Sequence, residues 1–429
     1  MFEKFIFKKI ELWIVLVFFI LFLVVISLYG SLVRSYFVAG NKFGIIGDIA
    51  IEIAELPTKP AKIINNLLTS RYIAREQKFQ DIENEKFYFD YNNRKDLGYV
   101  LISKYDNDKN INVVDLLDLN KQKIIYQWQN NSHDTIDHPI LIENGSLITK
   151  DYSSGNLIEI DMCSNVRILN SNIFLHHSTE IDHEKNLWVP IRYFPIKKIS
   201  RKLGTINFQD DGISKINLNG KLLYEKSIIE ILFENKLDSL IYGGPTSDDP
   251  IHLNDIQPAL KDTKYWKKGD LFLSLRNQSM IILYRPSTNK IIWYKQGPWK
   301  HQHDVDIVDE SKISIFDNNI SLDFFNGGNN NYAIYDFEKN EVTYPYSKSF
   351  IEYNISTKSG GLSDTVNSNE IFVEESNNGR LMIINKNGDI IWYYLNKDKK
   401  NMSYILSWSR YIQKNNLSST IDKLKKNKC

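Results

Sequence analysis

The chain has 429 residues, with 53 basic against 52 acidic side chains, a formal net charge of +1 and two cysteines. Such a balance produces no field favouring nucleic acid, and no nucleic-acid-binding signature is present. Cys163 and Cys429 cannot build a thiolate metal site, and no structural disulfide is expected between them.

The first predicted element is Leu12 to Val33, an uncharged run of 22 residues preceded by Lys4, Lys8 and Lys9. At about 1.5 Å per residue it spans roughly 33 Å, enough for one bilayer crossing. The lysines stay cytoplasmic by the positive-inside rule, which puts everything after Arg34 on the other face. A cleaved signal peptide is the rival reading, although its apolar core is usually only about 7–15 residues long. Next, the stretch to Lys78 mixes helical spacing with breaks at Pro57 and Pro60, and predicts a spacer with one or two short helices.

From Phe87 the period changes to short apolar strands between Asn, Asp and Gly turns. A loose unit of strand, turn, strand, turn and a strand ending in Trp or Tyr begins at Gly98, Gly145, Asn186, Gly269, Lys312 and Glu370. Strand-rich units recurring about every 40–50 residues predict propeller blades, with an irregular β-sandwich as the rival. The tail from Ile405 predicts one closing strand followed by a basic helix or frayed end.

Chemistry concentrates in three segments. They are LHHSTEIDHEKNLWVP from Leu175, IHLND at Ile251–Asp255, and Gly269–Asn319 with Arg276 and His301-Gln302-His303-Asp304; together they hold six of the eight histidines. A propeller lets loops from distant blades meet at one axial funnel, so His177, His252, Arg276 and His303 are expected to converge. Arginine presents a rigid fork matched to a tetrahedral oxyanion, and imidazole serves as neutral nucleophile or protonated donor according to its neighbours. His301 and His303 are two apart, and only His303 is expected in the funnel, with Asp304 orienting its ring. His133, His138 and His183 are read as structural histidines. Tyr265, Trp266 and Trp299 are candidates for the mouth, with packing as the competing reading.

The segments IHLND, LFLSLRNQSMI, IIWYKQG, HQHDVDIV and KISIFDNN, in this order, resemble the arylsulfotransferase family, the nucleotide-independent bacterial aryl-sulfate sulfotransferases. LHHSTEIDHEKNLWV is similar to that family's His-His-Asp segment, with Ser178 in place of the Asp. The resemblance implies a six-bladed propeller that moves a sulfuryl group from a phenolic sulfate ester to a phenolic acceptor. By the same resemblance His303 is the transiently sulfated residue, Arg276 the anion-binding arginine, and His252 and His177 the supporting histidines. His176 is the fallback for the last of these, and with Asn254 and Trp299 is expected at the substrate.

The expected fold is therefore all-β, a six-bladed propeller with an N-terminal transmembrane helix and short helical spacer. Its parts are residues 1–11 cytoplasmic, 12–33 transmembrane, 34–86 spacer, 87–400 propeller and 401–429 closing strand and tail. The expected partners are an aryl sulfate, a phenol and the lipid bilayer, with no cofactor, no metal and no nucleic acid. The expected place is the inner membrane, single-pass, with the catalytic domain on the periplasmic or extracytoplasmic side. Two readings compete: a non-catalytic membrane-anchored scaffold, and a metal hydrolase with His177, His252 and His303 as ligands, against which the charge of Arg276 counts.

Overall fold

The computed structural model describes residues 11–39, 43–56, 75–76, 87–89, 97–106, 108–130, 135–151, 154–194, 196–203, 208–243, 248–320, 328–399, 402–414, 418–427 and 429. His133, the lysines ahead of Leu12, and Pro57 and Pro60 lie outside them. The chain divides into two units, residues 1–70 with 200–208, and residues 71–199 with 209–429. In the first, the apolar run forms a helix, Leu12–Ala39, and a second helix covers Ile45–Glu55. The Tyr29 hydroxyl donates to the Ala50 carbonyl between them at 2.9 Å.

In the second unit, local turn chemistry sets the strand repeat. Asp161, Asp182, Asn217 and Asn385 each accept, through Oδ1, the backbone N–H two and four residues on. This side-chain cap makes a tight hairpin without help from the rest of the fold. In the turn at Asn217, Gly220 has φ +85°, and a Cβ there would meet the Leu169 carbonyl oxygen at 2.1 Å, so both conformation and space require glycine.

The hairpins form six antiparallel blades, each named here from its innermost strand outward. The second blade runs Ile136–Leu141, Leu147–Asp151, Leu157–Ile160, Val166–Asn170. In the third, the short strands Phe174–Leu175 and Glu180–Ile181 both pair with Leu187–Arg192, followed by Asp211–Ile216 and Leu222–Ser227. The fourth is Leu253–Pro258, Leu271–Leu275, Met280–Arg285, Lys290–Gln296. The fifth is His303–Ile307, Lys312–Asp317, Asn331–Asp336, Glu341–Thr343. The sixth is Leu362–Asn367, Glu370–Glu375, Arg380–Asn385, Ile390–Leu395, with Phe87–Phe89 added outside. In the first, the inner strand is Arg410–Ile412, and it pairs with Tyr99–Leu101 of the strands Tyr99–Asp106, Ile111–Asp118 and Lys123–Asn130. The late strand thus closes the ring on the early blade.

Apolar seams between blades form the core. Trp128, Leu101 and Leu116 of the first blade pack on Ile136, Leu147 and Ile158 of the second. Phe372, Leu381 and Trp392 of the sixth pack on Val100, Ile102 and Leu117 of the first. Buried acids stitch four of the six blade junctions by accepting from inner-strand N–H groups or those just beside them. Asp211 accepts from Leu253 N–H, Asp255 from Val305 N–H, Asp304 from Ser363 N–H, and Glu374 from the N–H groups of Trp408 and Ser409.

One expectation is corrected here: Cys163 and Cys429 form a disulfide, with Cα atoms 5.4 Å apart. The helix Ser418–Lys426 buries Thr420, Ile421 and Leu424, the last two in the seam of the first and second blades. That packing carries Cys429 to the turn at Asp161 where Cys163 sits, within the range a disulfide needs.

Candidate functional site

Every blade breaks strand geometry at the same place. A residue with positive φ stands in or beside the inner strand: Trp408 (68°), His138 (53°), His177 (58°), His252 (52°), Asp304 (35°) and Gly360 (68°), from the first blade to the sixth. The ladder shifts register at three of these points, Asp137/Ile140, Leu253/Asp255 and His303/Val305. Bulges of this kind re-aim side chains that regular alternation would hold elsewhere, and left-handed non-glycine residues persist where the surroundings enforce them.

The result is one cavity of about 370 Å³. His138, His177, His252, Arg276, His303, Gly360 and Trp408 all line it, with Thr135, Asp137, Ser359, Asn377, Ile405 and Leu406 among the other walls. The four residues expected to converge do so. His301 is buried but is not part of the lining, as expected.

At His303 the hydrogen bonds fix the tautomer. Asn318 spends its amide N–H groups on the carbonyls of Thr357 (3.1 Å) and Gly360 (2.9 Å), so its Oδ1 faces His303 Nδ1 at 2.7 Å and accepts a hydrogen bond from the Nδ1–H. Nε2 then carries the lone pair, toward which Gly360 N–H points at 3.1 Å. Burial first, and the Arg276 guanidinium second, hold the pKa of His303 well below the ordinary histidine value. The ring is a neutral base. Asp304 is not its orienter, because the bulge turns that carboxylate to Ser363 N–H at 2.7 Å.

Arg276 begins a short 3-10 turn after the strand Leu271–Leu275, and its backbone N–H donates to the His252 carbonyl at 3.0 Å. Its guanidinium donates to Asn277 Oδ1 at 2.9 Å and pairs with no carboxylate among the described residues. A fork with donors to spare, facing a partly closed cavity, suits an anion.

His177 and His252 meet Nε2 to Nε2 at 3.1 Å, so one proton is shared between them. His252 Nδ1 lies 2.5 Å from Asp249 Oδ2, a contact that fixes the ring and leaves its Nε2 facing His177. His177 is held well below the ordinary value by burial and then by the neighbouring His176 and His252. His176 lies against His177 with the rings tilted by 58° and their centres 3.7 Å apart, and it is not among the residues lining the cavity.

Two expected substrate contacts are corrected. Trp299 is fully buried in the seam of the fourth and fifth blades with Trp266, Phe272 and Val305, where its indole fills core space. Asn254 is buried too and donates from Nδ2 to the Gln302 carbonyl at 3.0 Å, so it joins two blades instead of lining the cavity. Tyr265 and Trp266 likewise pack in that seam.

His138 and Trp408 were missed as site residues. Their rings lie 4.4 Å apart on the cavity wall, and burial holds His138 down at about 4 against the opposing pull of Asp137. Asp137-His138 also matches, in its place at the blade's inner bulge, the positions of His177 and His252. Only a blade-by-blade superposition of the six units carries that signal.

The sequence model of the arylsulfotransferase (ASST) family matches residues 116–397. No curated protein matches the chain. Among solved structures, a Bacteroides caccae protein of unknown function is similar at 9% identity, over 73% of this chain and 97% of that one, with a TM-score of 0.47. A streptogramin B lyase is similar at 10% identity over 76% and 98%, with a TM-score of 0.40. A virginiamycin B lyase from Staphylococcus aureus is similar at 9% over 73% and 89%, with a TM-score of 0.39. Likeness at that level says nothing of what this chain does.

Proposed function

The chain belongs to the arylsulfotransferase family, and from that premise we propose that it moves a sulfuryl group from an aryl sulfate to a phenol through a sulfated His303. The convergence of His303, Arg276, His252 and His177 on one cavity carries this reading.

In the first step His303 Nε2 gives up its hydrogen bond from Gly360 N–H and its lone pair attacks sulfur. An N–S bond forms and the S–O bond to the aryl oxygen breaks, leaving a phenolate that takes a proton from the His252–His177 pair. The Asp249–His252–His177 contacts form the hydrogen-bonded chain along which that proton reaches the cavity. In the second step the acceptor phenol returns its proton to the pair as its oxygen attacks sulfur and the N–S bond breaks. Arg276 offers donors to the peripheral oxygens of the sulfuryl group, where charge concentrates during transfer. Leu406, Ile405 and Trp408 supply the apolar wall against which an aromatic ring packs.

The helix Leu12–Ala39 is long and apolar enough to cross a membrane, and a signal sequence has the same character. We read it as a single-pass anchor in the cell membrane, with the propeller on the extracytoplasmic side. The Cys163–Cys429 disulfide supports that side, because such bonds persist in oxidising compartments.

The test incubates the full chain with a chromogenic aryl sulfate and a phenol, beside His303→Ala. Transfer by the parent, none by the variant, and an adduct of sulfonate mass on the peptide holding His303 are expected. Transfer that survives His303→Ala, or an adduct on another residue, overturns the assignment.

A further inference from the structure

We propose that His176, His177 and His252 also form a binding site for a divalent first-row transition metal, with zinc the best chemical match, and that the metal-filled chain cannot transfer a sulfuryl group. The site itself stands on the geometry; its inhibitory effect rests on the transfer reading given above.

His176 is the starting point, because the transfer steps give it no proton and no charge to hold. On a regular strand its ring and that of His177 would point to opposite faces. The left-handed backbone at His177 instead brings the two rings to 3.7 Å, and His252, also left-handed, sets its ring 5.3 Å from His176 and 5.0 Å from His177. One nitrogen from each ring lies within 4.8 Å of the others. Tetrahedral zinc with bonds of about 2.0–2.1 Å needs ligand nitrogens roughly 3.3 Å apart. The Nε2–Nε2 separation of His177 and His252 is already 3.1 Å, and the His176 nitrogen, within 4.8 Å of both, reaches bonding distance by rotation of its ring.

The surroundings match the ligand chemistry. Imidazole binds a metal only when neutral, and burial favours the neutral ring. A metal-bound histidine ordinarily bonds a carboxylate through its other nitrogen, as His252 Nδ1 does with Asp249 at 2.5 Å. His176 Nδ1 lies 3.9 Å from Asp211 Oδ1. Arg192, 3.2 Å from Asp211, and Arg276 in the cavity wall offset part of that negative charge. The fourth ligand is therefore an anion, hydroxide or sulfate, taken from the cavity. An ion in this place replaces the shared proton of His177 and His252, so the leaving phenolate has no donor.

Cobalt(II) gives the readout that activity does not. One equivalent per chain is expected to produce the strong visible absorption of a four-coordinate site, in the parent and in His303→Ala alike, with Zn²⁺ displacing it. His176→Ala and His176→Asn are expected to abolish it while retaining the parent's circular dichroism and unfolding temperature. No such absorption at about 1 mM Co²⁺, the edge of specific binding, overturns the site, as does absorption that persists in a folded His176 variant. In the transfer assay, Zn²⁺ is expected to inhibit over the range in which it displaces Co²⁺. Full activity with the site filled overturns the inhibitory half. A cobalt spectrum in a chain that transfers nothing even without metal supports the site while sinking the transfer reading.

Discussion

His303 Nδ1 and Asn318 Oδ1 face each other at 2.7 Å, and both amide protons of Asn318 are committed to backbone carbonyls of the segment Thr357–Gly360. The sixth-blade loop therefore dictates which nitrogen of a fifth-blade histidine keeps its lone pair. Asn318→Ala frees the ring to rotate and change tautomer. Transfer should fall by about 10²-fold, the usual scale for a misaligned reacting group, with the fold intact by circular dichroism. Asn318→Asp, which still accepts from Nδ1, should recover part of the loss.

Arg276→Ala should lower kcat/KM for an aryl sulfate by about 10²–10³, the scale for losing one donor to developing charge. Arg276→Lys keeps the charge without the fork and should fall between the two. Steady-state kinetics on all three chains decides it, and a near-parental alanine variant would remove Arg276 from the reaction.

The disulfide closes a loop between residues 266 apart and ties the C-terminal helix to the second blade. Cys429→Ser should lower unfolding stability by about 2–4 kcal/mol, read from the denaturant midpoint. Its place in an outer turn, away from the cavity, means specific activity of the folded chain should stay at the parental level.

Burial, and then Glu180, push the Asp364 carboxyl up to about 7. Between about pH 4 and 7 the folded chain holds a proton there that the unfolded chain has released, so stability is lost as pH rises through that window. Asp364→Asn keeps a neutral side chain at every pH. Its unfolding temperature relative to the parent should climb from about pH 5 to about pH 8. A flat difference would show that the carboxyl ionises normally.

Glu374 receives three donors, Ser376 Oγ at 2.6 Å, Trp408 N–H at 3.2 Å and Ser409 N–H at 2.6 Å. Glu374→Ala strands two buried N–H groups at the seam where the ring closes, at about 1–3 kcal/mol each. Earlier unfolding and faster proteolysis near residue 408 are the expected readouts.

The blades were legible because their cause is local. An Asn or Asp capping its own turn, as at Asn217 and Asn385, and alternating apolar residues on either side fix a hairpin wherever it lies. His303, Arg276, His252 and His177 were legible because they sit in dense, ordered segments. Asn318 was not, since its role depends on a loop about 40 residues further on, and Asp304, its neighbour in sequence to His303, was the nearer choice. Trp299 looked like an aromatic lip, yet whether an indole faces solvent or a seam depends on the next blade. The disulfide escaped for the same reason: only a folded ring brings the ends of a long chain segment together.

Arg410 reaches three blades at once. It sits in the inner strand of the first, donates to the Pro139 carbonyl of the second, and bonds the Thr179 carbonyl and Glu180 of the third. Leu406 and Trp408, just before it, complete the cavity wall. A nascent chain halted between His303 and Ile405 thus has the imidazoles but lacks part of the chamber wall. Under the proposed transfer chemistry, competence would come only when the toroid locks, which would leave unfinished copies chemically silent.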